Sequence, residues 1–318
     1  MKQSHSPCAG ILRIIPLLLV GMGLTSCFTG IESTKKITLS REERKQTAPT
    51  AEESFLSDIH GEPHTQWRAG KPFYVADERA SVMIDAVNIP SGNYSLVAGD
   101  TLQFRDARAV RTPDGRTRTT IIFNRGDDEF RYMARETPTD VTTVMSDAIP
   151  GLIDPDMIEA VRARMLGERF WTMSAMWLDD ADSRMQGRKY APVLVTAINP
   201  GTMVFPVRVS FTDDEGNRGS YLMNFGSAGT DSRGFQNLFS LTDPRRNYPS
   251  FTDEVWSNIC NERVVVGMTK EECRVAKGNP SDVYAGHDYS KSMLVWVYPD
   301  ATTLYFEDDI LTGVKGYQ

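Results

Sequence analysis

Histidine and cysteine side chains carry most of the chemistry that this sequence could perform, and there are four of each. His60 and His64 have the spacing of paired metal ligands on a helix, but Pro63 between them breaks such a helix. His287 and Asp288 could activate a nucleophilic serine, but the sequence has no Gly-x-Ser-x-Gly turn that would expose one. We therefore expect no catalytic residue, no metal site and no cofactor.

Two of the four cysteines could form a disulfide. Cys260 and Cys273 fall on consecutive predicted helices near the end of the chain. In an oxidising compartment such a bridge would stabilise the fold by ~2–3 kcal/mol through loop closure. Buried free thiols are the alternative, because the distance between two helices does not follow from sequence spacing.

Three aromatic residues could line a peptide groove. Trp171, Trp177 and Tyr190 lie close together in the chain, just before a long predicted strand. Aromatic side chains line the ligand grooves of SH3 domains in this way. In the alternative interpretation Trp171 belongs to the core and Trp177 half-covers it.

The first residues of the chain have the pattern of a targeting segment. Lys2 and Arg13 precede an apolar stretch, 14–23, that is too short for a membrane span of ~20 residues. Leu24-Thr25-Ser26-Cys27 follows it. Residues 1–26 therefore resemble a bacterial lipoprotein signal peptide, and the resemblance implies cleavage before Cys27 and lipid on that cysteine. The alternative is an ordinary secretory signal or a short buried helix that ends in Cys.

The resemblance also implies a location. Phe28 follows the lipidated Cys27, where inner-membrane lipoproteins commonly have Asp, so we expect an outer-membrane anchor. Residues 28–31 lack the acidic cluster that directs some lipoproteins to the cell surface, so we expect the protein to face the periplasm. Thirty-five basic residues against 42 acidic ones give a net charge of −7, which disfavours nucleic acid as a partner. We expect the membrane and envelope proteins as partners, and the sequence does not indicate which small ligand, if any, is bound.

Beyond the anchor, the chain predicts a tether and then a repeat. Residues 27–57 are polar and charged without a helix or strand period, so we predict a flexible tether that folding does not require. Residues 58–137 and 167–225 share one layout, in which a Gly-x-x-aromatic start leads to three strands separated by a Pro/Gly turn and an Asp/Gly turn. We predict two copies of one β unit, beginning near Gly70 and Gly167.

Each copy looks like an SH3-like small β-barrel, because closure hides the edges of short, bent strands. A small β-sandwich is the alternative. Residues 138–166 are predicted to connect the copies, with a helix over 155–166 that Asp154 caps and Pro155 begins. A linker is predicted over 226–250.

The last segment, 251–318, predicts two helices followed by three antiparallel strands. The second helix begins with a capping box, Thr269 to Glu272, preceded by Gly-Met and followed by Gly278-Asn279-Pro280. This order resembles the SmpA/OmlA family of small outer-membrane lipoproteins, which implies two helices packed on a short antiparallel sheet and a role in the outer membrane. We expect one small core there, made of Trp256, Ile259, Met268, Leu294 and Trp296.

The predicted fold class is therefore mainly β, with two SH3-like units and an α+β C-terminal module. The predicted function is that of a non-enzymatic lipoprotein, tethered to the outer membrane, that acts as a scaffold or binding partner in envelope assembly or maintenance. One alternative is a targeting or accessory module of a cell-wall hydrolase, since SH3-like barrels accompany such enzymes. Another is a binder of a phospholipid or small ligand between the modules.

Replacing Cys27 by Ser should abolish lipidation, because the thiol is the group that takes the lipid. We expect the Cys27→Ser chain to accumulate as a larger, unlipidated precursor, measured by intact-mass spectrometry of membrane fractions. Maturation of this variant to the normal mass, with retention in the membrane, would contradict the assignment.

Overall fold

Antiparallel strands in three sheets make up most of the regular structure, so the fold is mainly β as the sequence predicts. The structure is a computed structural model that describes residues 49–87, 96–134, 149–224, 233–288 and 291–316. The predicted signal peptide and Cys27 lie outside the described residues. Residues Pro49–Gln318 form one unit, so the predicted modules are in contact with each other.

The first β unit is a six-stranded sheet with the order β2-β5-β4-β3-β1-β6. Its strands are β1 Pro72–Val75, β2 Ile84–Ala86, β3 Thr101–Arg111, β4 Thr117–Arg125, β5 Asp128–Met133 and β6 Leu152–Ile153. A short 3-10 helix, Glu78–Val82, precedes β2. Large aromatic and aliphatic side chains fill the concave face, among them Phe73, Leu102, Phe123 and Phe130.

The second β unit is a seven-stranded sheet with the order β13-β7-β10-β11-β12-β8-β9. Its strands are β7 Arg169–Thr172, β8 Met176–Leu178, β9 Arg184–Gln186, β10 Pro192–Pro200, β11 Val207–Asp213, β12 Arg218–Met223 and β13 Phe239–Ser240. Along β11 the burial alternates strictly, which places Val207, Val209 and Phe211 in the core.

The two units have the same strand order, which confirms the predicted repeat. In the first unit the order β2-β5-β4-β3-β1 matches β8-β12-β11-β10-β7 of the second. The starting glycines also make the same bond: the Gly70 N–H donates to the carbonyl oxygen of Phe104 at 2.7 Å, and the Gly167 N–H donates to that of Val195 at 3.0 Å. In both long strands the register shifts directly after that acceptor residue, so both strands bend at the same place.

The repeat extends further than the sequence predicts. Strand β6 pairs with β1, and β13 pairs with β7 in the equivalent place. The prediction of a linker over 226–250 is therefore wrong for its described residues, which begin at 233. They contribute β13 and the short helix α3 Phe235–Leu238 to the second unit. Phe235, Leu238 and Phe239 are buried in that core. This apolar run is too short to produce a recognisable helix or strand period.

A helix between the units, Pro155–Met165, is named α2 here and matches the predicted 155–166 closely. The Asp154 carboxylate caps it by accepting the Asp156 N–H at 3.0 Å. Its buried stripe of Ile158, Val161 and Met165 packs into the core of the second unit. Helix α2 also contacts strand β1 of the first unit, so it packs against both units.

The C-terminal part has two helices, α4 Asp253–Cys260 and α5 Lys270–Lys277, and a sheet of the order β14-β15-β16-β17. Its strands are β14 Asp282–Asp288, β15 Lys291–Val297, β16 Thr303–Glu307 and β17 Ile310–Lys315. The sheet has one strand more than predicted, since β14 was not foreseen, and His287 and Asp288 lie in that strand. The predicted core is confirmed, with Trp256, Ile259, Met268 and Trp296 buried together and Leu294 packed against them.

The end of the predicted tether is folded. Residues Ala51–Ser54 form helix α1, which a capping box between Thr50 and Glu53 begins. Leu56 is 4% exposed and belongs to the core of the second unit. The ring of Phe55 lies 4.4 Å from that of Phe235, centroid to centroid. The expectation that residues 27–57 serve only as a tether is therefore wrong for 49–57, because two or three apolar residues suffice to fill a neighbouring core.

Truncating Leu56 tests this correction. Leu56→Ala should lower the free energy of unfolding by ~2–5 kcal/mol, as the loss of a buried leucine in a packed core does. Ser57→Ala is the matched control, because Ser57 is exposed and the change should stay within ~0.5 kcal/mol. Urea denaturation of the mature chain measures both, and equal effects of the two changes would restore the tether interpretation.

Candidate functional site

The aromatic groove predicted from Trp171, Trp177 and Tyr190 is not formed, because the three side chains belong to different environments. Trp177 is 1% exposed and meets the ring of Phe211 edge-on, with the centroids 5.1 Å apart. Gly187 and Gly219 approach the indole so closely that a Cβ on either would lie within 3 Å of it. Trp171 is half-buried on β7. Trp177 is therefore a core residue and cannot line a groove.

Tyr190 instead joins the second unit to the C-terminal part. Its backbone has φ 57°, and its N–H donates to the Thr172 carbonyl oxygen at 2.6 Å. At the equivalent position the first unit has Gly99, with φ 93° and the same bond to Val75. The left-handed conformation is thus required by the repeat, and a tyrosine tolerates it because its ring stacks on Trp256 with the centroids 5.5 Å apart. Burial raises the pKa of Tyr190 to about 12.

Lys189 strengthens the same junction. Its backbone N–H donates to the Cys260 carbonyl oxygen at 2.7 Å, and its Nζ donates to the Val275 carbonyl oxygen at 2.9 Å. Burial lowers the pKa of this lysine, opposed by the charge of Glu262. The C-terminal part is therefore docked on the second unit by a partly buried lysine and an aromatic stack, and the units are not independent modules on linkers.

The two candidate disulfide cysteines, Cys260 and Cys273, are free and buried in the same core. Burial raises the pKa of both thiols, that of Cys273 to about 12, so both are protonated at neutral pH and poorly nucleophilic. Their pairing stays a prediction for the protein in an oxidising compartment. As they stand in the structure, they are apolar core residues.

A cavity of about 480 Å³ lies between the two β units and beside α2. The first unit contributes apolar side chains that include Trp67, Phe73 and Leu152. Helix α2 contributes Met157, and the connection from β10 to β11 contributes Met203, Val204 and Pro206. Three polar residues complete the lining: Glu62, Asp154 and Asn224. No single unit encloses this space, so it exists only because the two units are held against each other.

Local structure fixes the walls of the cavity. The Trp67 indole Nε1 donates to the Glu62 carbonyl oxygen at 2.8 Å, and its ring lies 4.6 Å from that of Phe73. Gly151 has φ 89°, and a Cβ there would lie 2.8 Å from the Cβ of Ala80, so only glycine lets the chain pass at this point. The Gly201 N–H donates to the Pro206 carbonyl oxygen at 2.8 Å and closes the opposite wall.

An ion cluster, of which only Lys71 and Asp154 have buried side chains, lies beside the polar end of the cavity. The Nζ of Lys71 lies 3.2 Å from the Asp154 carboxylate and 3.7 Å from that of Glu62, and it also pairs with Asp156. The side chains of Lys71 and Asp154 are each 8% exposed. Of the three carboxylates, those of Glu62 and Asp154 line the cavity and make this end of it acidic, whereas that of Asp156 is 74% exposed and lies outside the lining.

The protonation of this cluster follows from burial and charge together. Burial raises the pKa of Asp154, although the Asp156 amide and the Lys71 ammonium both oppose the shift. For Lys71 the largest effect, burial, lowers the pKa, but hydrogen bonds and charges from Asp156 and Asp154 outweigh it and raise the pKa overall. The lysine is therefore charged across the physiological range and compensates the buried carboxylate.

A ligand site between the modules was one of the alternatives that the sequence left open, but none of the residues of this cavity was predicted. Trp67, Lys71 and Met203 have no spacing in the chain that relates them, and only the packing of the two units and α2 brings them near the same cavity. Among the described ranges no group of three or more His, Cys, Asp or Glu side chains could hold a metal ion. No helix within those ranges is both long and apolar enough to cross a membrane.

Removing the ammonium group of Lys71 should make stability depend on pH. In Lys71→Met the buried Asp154 carboxylate loses its partner, so its folded pKa rises further above its unfolded value. An aspartate whose folded pKa is raised destabilises the fold when it is ionised and not when it is protonated. We therefore expect the free energy of unfolding to fall by ~3–5 kcal/mol at pH 7, and this loss should shrink as the pH falls towards 5. Urea denaturation at both pH values measures it.

The double variant Lys71→Met/Asp154→Asn is the matched control. It removes the unpaired charge but keeps a good N-cap residue for α2, so it should recover most of the stability at pH 7. An equal loss for Lys71→Met at both pH values would show that the lysine acts through packing and not through charge.

Known proteins give no assignment for the cavity or for the fold around it. No family model matches the chain, and neither a curated protein nor a solved structure matches it significantly. The function of this protein therefore rests on its own sequence and geometry.

Proposed function

We propose that this protein is a lipid-anchored protein of the bacterial envelope that acts by binding, and that the cavity between its β units is the binding site. The lipobox that ends at Cys27 supports the lipid anchor, Phe28 supports the outer membrane, and the lack of an acidic cluster at 28–31 supports the periplasmic orientation. The single observation that carries the binding role is the cavity itself, which has an apolar lining and one polar end.

The dimensions and lining of the cavity suit a small ligand. Binding sites of ~300–1,000 Å³ with mostly apolar walls and a few polar groups are typical of ligand pockets. The ligand has an apolar body that fits between Trp67, Met157 and Met203, and a polar end that is neutral or cationic. An anionic end is disfavoured, because it would face the carboxylates of Glu62 and Asp154 in the lining. An acyl chain with an ammonium headgroup, or an apolar peptide side chain beside a lysine, meets this description.

The architecture supports a scaffold role alongside ligand binding. The proposed identity of the β units is SH3-like, supported by five short strands in one order with a bend in the long strand. The proposed identity of the C-terminal part is SmpA/OmlA-like, supported by two helices and an antiparallel sheet with one core. Together they support a role in outer-membrane assembly or maintenance, and a role beside a cell-wall hydrolase stays the alternative.

Filling the mouth of the cavity tests the binding role. The mature chain should enhance the fluorescence of N-phenyl-1-naphthylamine, a neutral apolar probe, in a saturable manner. Val204 lines the cavity and is 53% exposed, so Val204→Trp should weaken probe binding by roughly tenfold or more without disturbing a core. Val266→Trp is the matched control, because Val266 is exposed and lies on the C-terminal part.

Competition then separates the two ligand classes. Displacement of the probe by lysophosphatidylethanolamine, which has one acyl chain and a zwitterionic headgroup of no net charge that ends in an ammonium group, supports a phospholipid ligand. Displacement by a Leu-Lys peptide alone supports a protein partner. Equal probe binding by the mature chain and both tryptophan variants would contradict a ligand site in the cavity.

A further inference from the structure

One oxygen of the Asp154 carboxylate is available to a ligand in the cavity between the β units. The side chain of Asp154 lines that cavity and is 8% exposed. Its Oδ1 accepts the Asp156 N–H at 3.0 Å and lies 3.2 Å from the Nζ of Lys71. Within the described ranges, no group donates a hydrogen bond to its Oδ2. Because buried acceptors are normally paired, this oxygen has room for a further donor.

Glu62 supplies a second carboxylate at the same end of the cavity. Its side chain is 55% exposed, and its carboxylate lies 3.7 Å from the Nζ of Lys71. Asp154 and Asp156 are nearer partners of that ammonium group, so the charge of Glu62 is the least compensated of the three. The Glu62 carbonyl oxygen accepts the Trp67 indole N–H, which fixes the backbone from which the carboxylate extends.

Gly61 leaves space beside the unpaired oxygen. This residue is buried and lines the cavity. A Cβ there would lie 3.2 Å from the sulfur of Met157 and 4.0 Å from the Oδ2 of Asp154. Any side chain at this position would therefore narrow the approach to that oxygen.

The other walls of the cavity favour a hydrocarbon body. Among the described residues, Asn224 is the only polar side chain in the lining besides Glu62 and Asp154. A peptide would bring backbone N–H and C=O groups that need hydrogen-bond partners when they are buried. A hydrocarbon chain needs no such partners and gains free energy by leaving water. The lining therefore suits an amphiphile better than a peptide.

We propose that the cavity selects a hydrocarbon amphiphile with a primary ammonium end, which donates hydrogen bonds to the Oδ2 of Asp154 and to the carboxylate of Glu62. The inference rests on the proposed binding function and adds the two residues that determine specificity. Burial raises the pKa of Asp154, and a bound ammonium group compensates this carboxylate where water is largely excluded. A quaternary ammonium has the same charge but no N–H, so it leaves the Oδ2 unpaired.

Four amphiphiles with one decyl chain test the proposal with the full mature chain. Decylammonium, decyltrimethylammonium, 1-decanol and decanoate differ only in the end group, and each competes with N-phenyl-1-naphthylamine for the cavity. Decylammonium should displace this probe at roughly tenfold lower concentration than decyltrimethylammonium or 1-decanol. Decanoate should be the weakest competitor. Equal displacement by decylammonium and decyltrimethylammonium would overturn the proposal.

Charge reversal at Glu62 is the decisive variant. Glu62→Lys should weaken decylammonium binding and strengthen decanoate binding, each by roughly tenfold. Stronger decanoate binding is a gain, so it cannot result from misfolding. Glu168→Lys is the matched control, because Glu168 is exposed, lies outside the lining and undergoes the same change in charge. It should leave the order of the four amphiphiles unchanged.

Asp154→Asn tests the second acceptor. Asparagine keeps a good N-cap for α2, so the variant should bind the neutral probe with unchanged affinity. Its affinity for decylammonium should fall by roughly tenfold, because the carboxylate that receives the ammonium group is lost. Unchanged decylammonium binding would contradict the role of Asp154.

The outcomes separate this inference from the proposed function. Failure of the mature chain to bind the neutral probe would overturn both. Three results would overturn this inference alone and leave the cavity as a ligand site: probe binding without a preference for decylammonium, an unchanged order of amphiphiles in Glu62→Lys, or displacement by the Leu-Lys peptide at lower concentration than by decylammonium.

Discussion

Helix α2 and its packing against the second β unit hold the rest of this structure in place. Its buried stripe of Ile158, Val161 and Met165 contributes to the core of that unit, and its end leads directly into the unit's first strand. Its beginning belongs to the first unit, because Asp154 both caps the helix and pairs with Lys71. The burial of this stripe fixes the angle between the units, and the cavity is the space left between them.

The two β units of the repeat are similar, but a difference at one position lets only the second unit bind the C-terminal part. At one position the first unit has Gly99 and the second has Tyr190, both with a positive φ. The glycine lies in the turn that precedes β3, and a Cβ there would meet no other atom within 4 Å. The tyrosine keeps the backbone conformation and adds a ring that stacks on Trp256, so only the second unit can hold the C-terminal part. One substitution in an otherwise shared hydrogen-bond pattern thus converts a turn into an interface.

The chemistry of the described residues suits recognition. The two thiols, Cys260 and Cys273, are buried and have raised pKa values, which keeps them protonated. The buried charges at Lys71 and Asp154 compensate each other and orient a polar end beside an apolar cavity. Proteins use such arrangements to position a ligand, because the apolar walls provide binding energy and the few polar groups select orientation.

The sequence alone determined the features that depend on residues close together in the chain. The caps of α2 and α5 at Asp154 and Thr269, the turns of both units, their common strand order and the core around Trp256 all follow from local propensity and periodicity. Only the tertiary structure decided where short apolar segments pack. Phe55 and Phe235 are too isolated to form a period, and β14 has too weak a pattern to predict a strand. Trp177 fits the core because two distant glycines make room for its ring, and the cavity depends on the angle between two units, which no local pattern encodes.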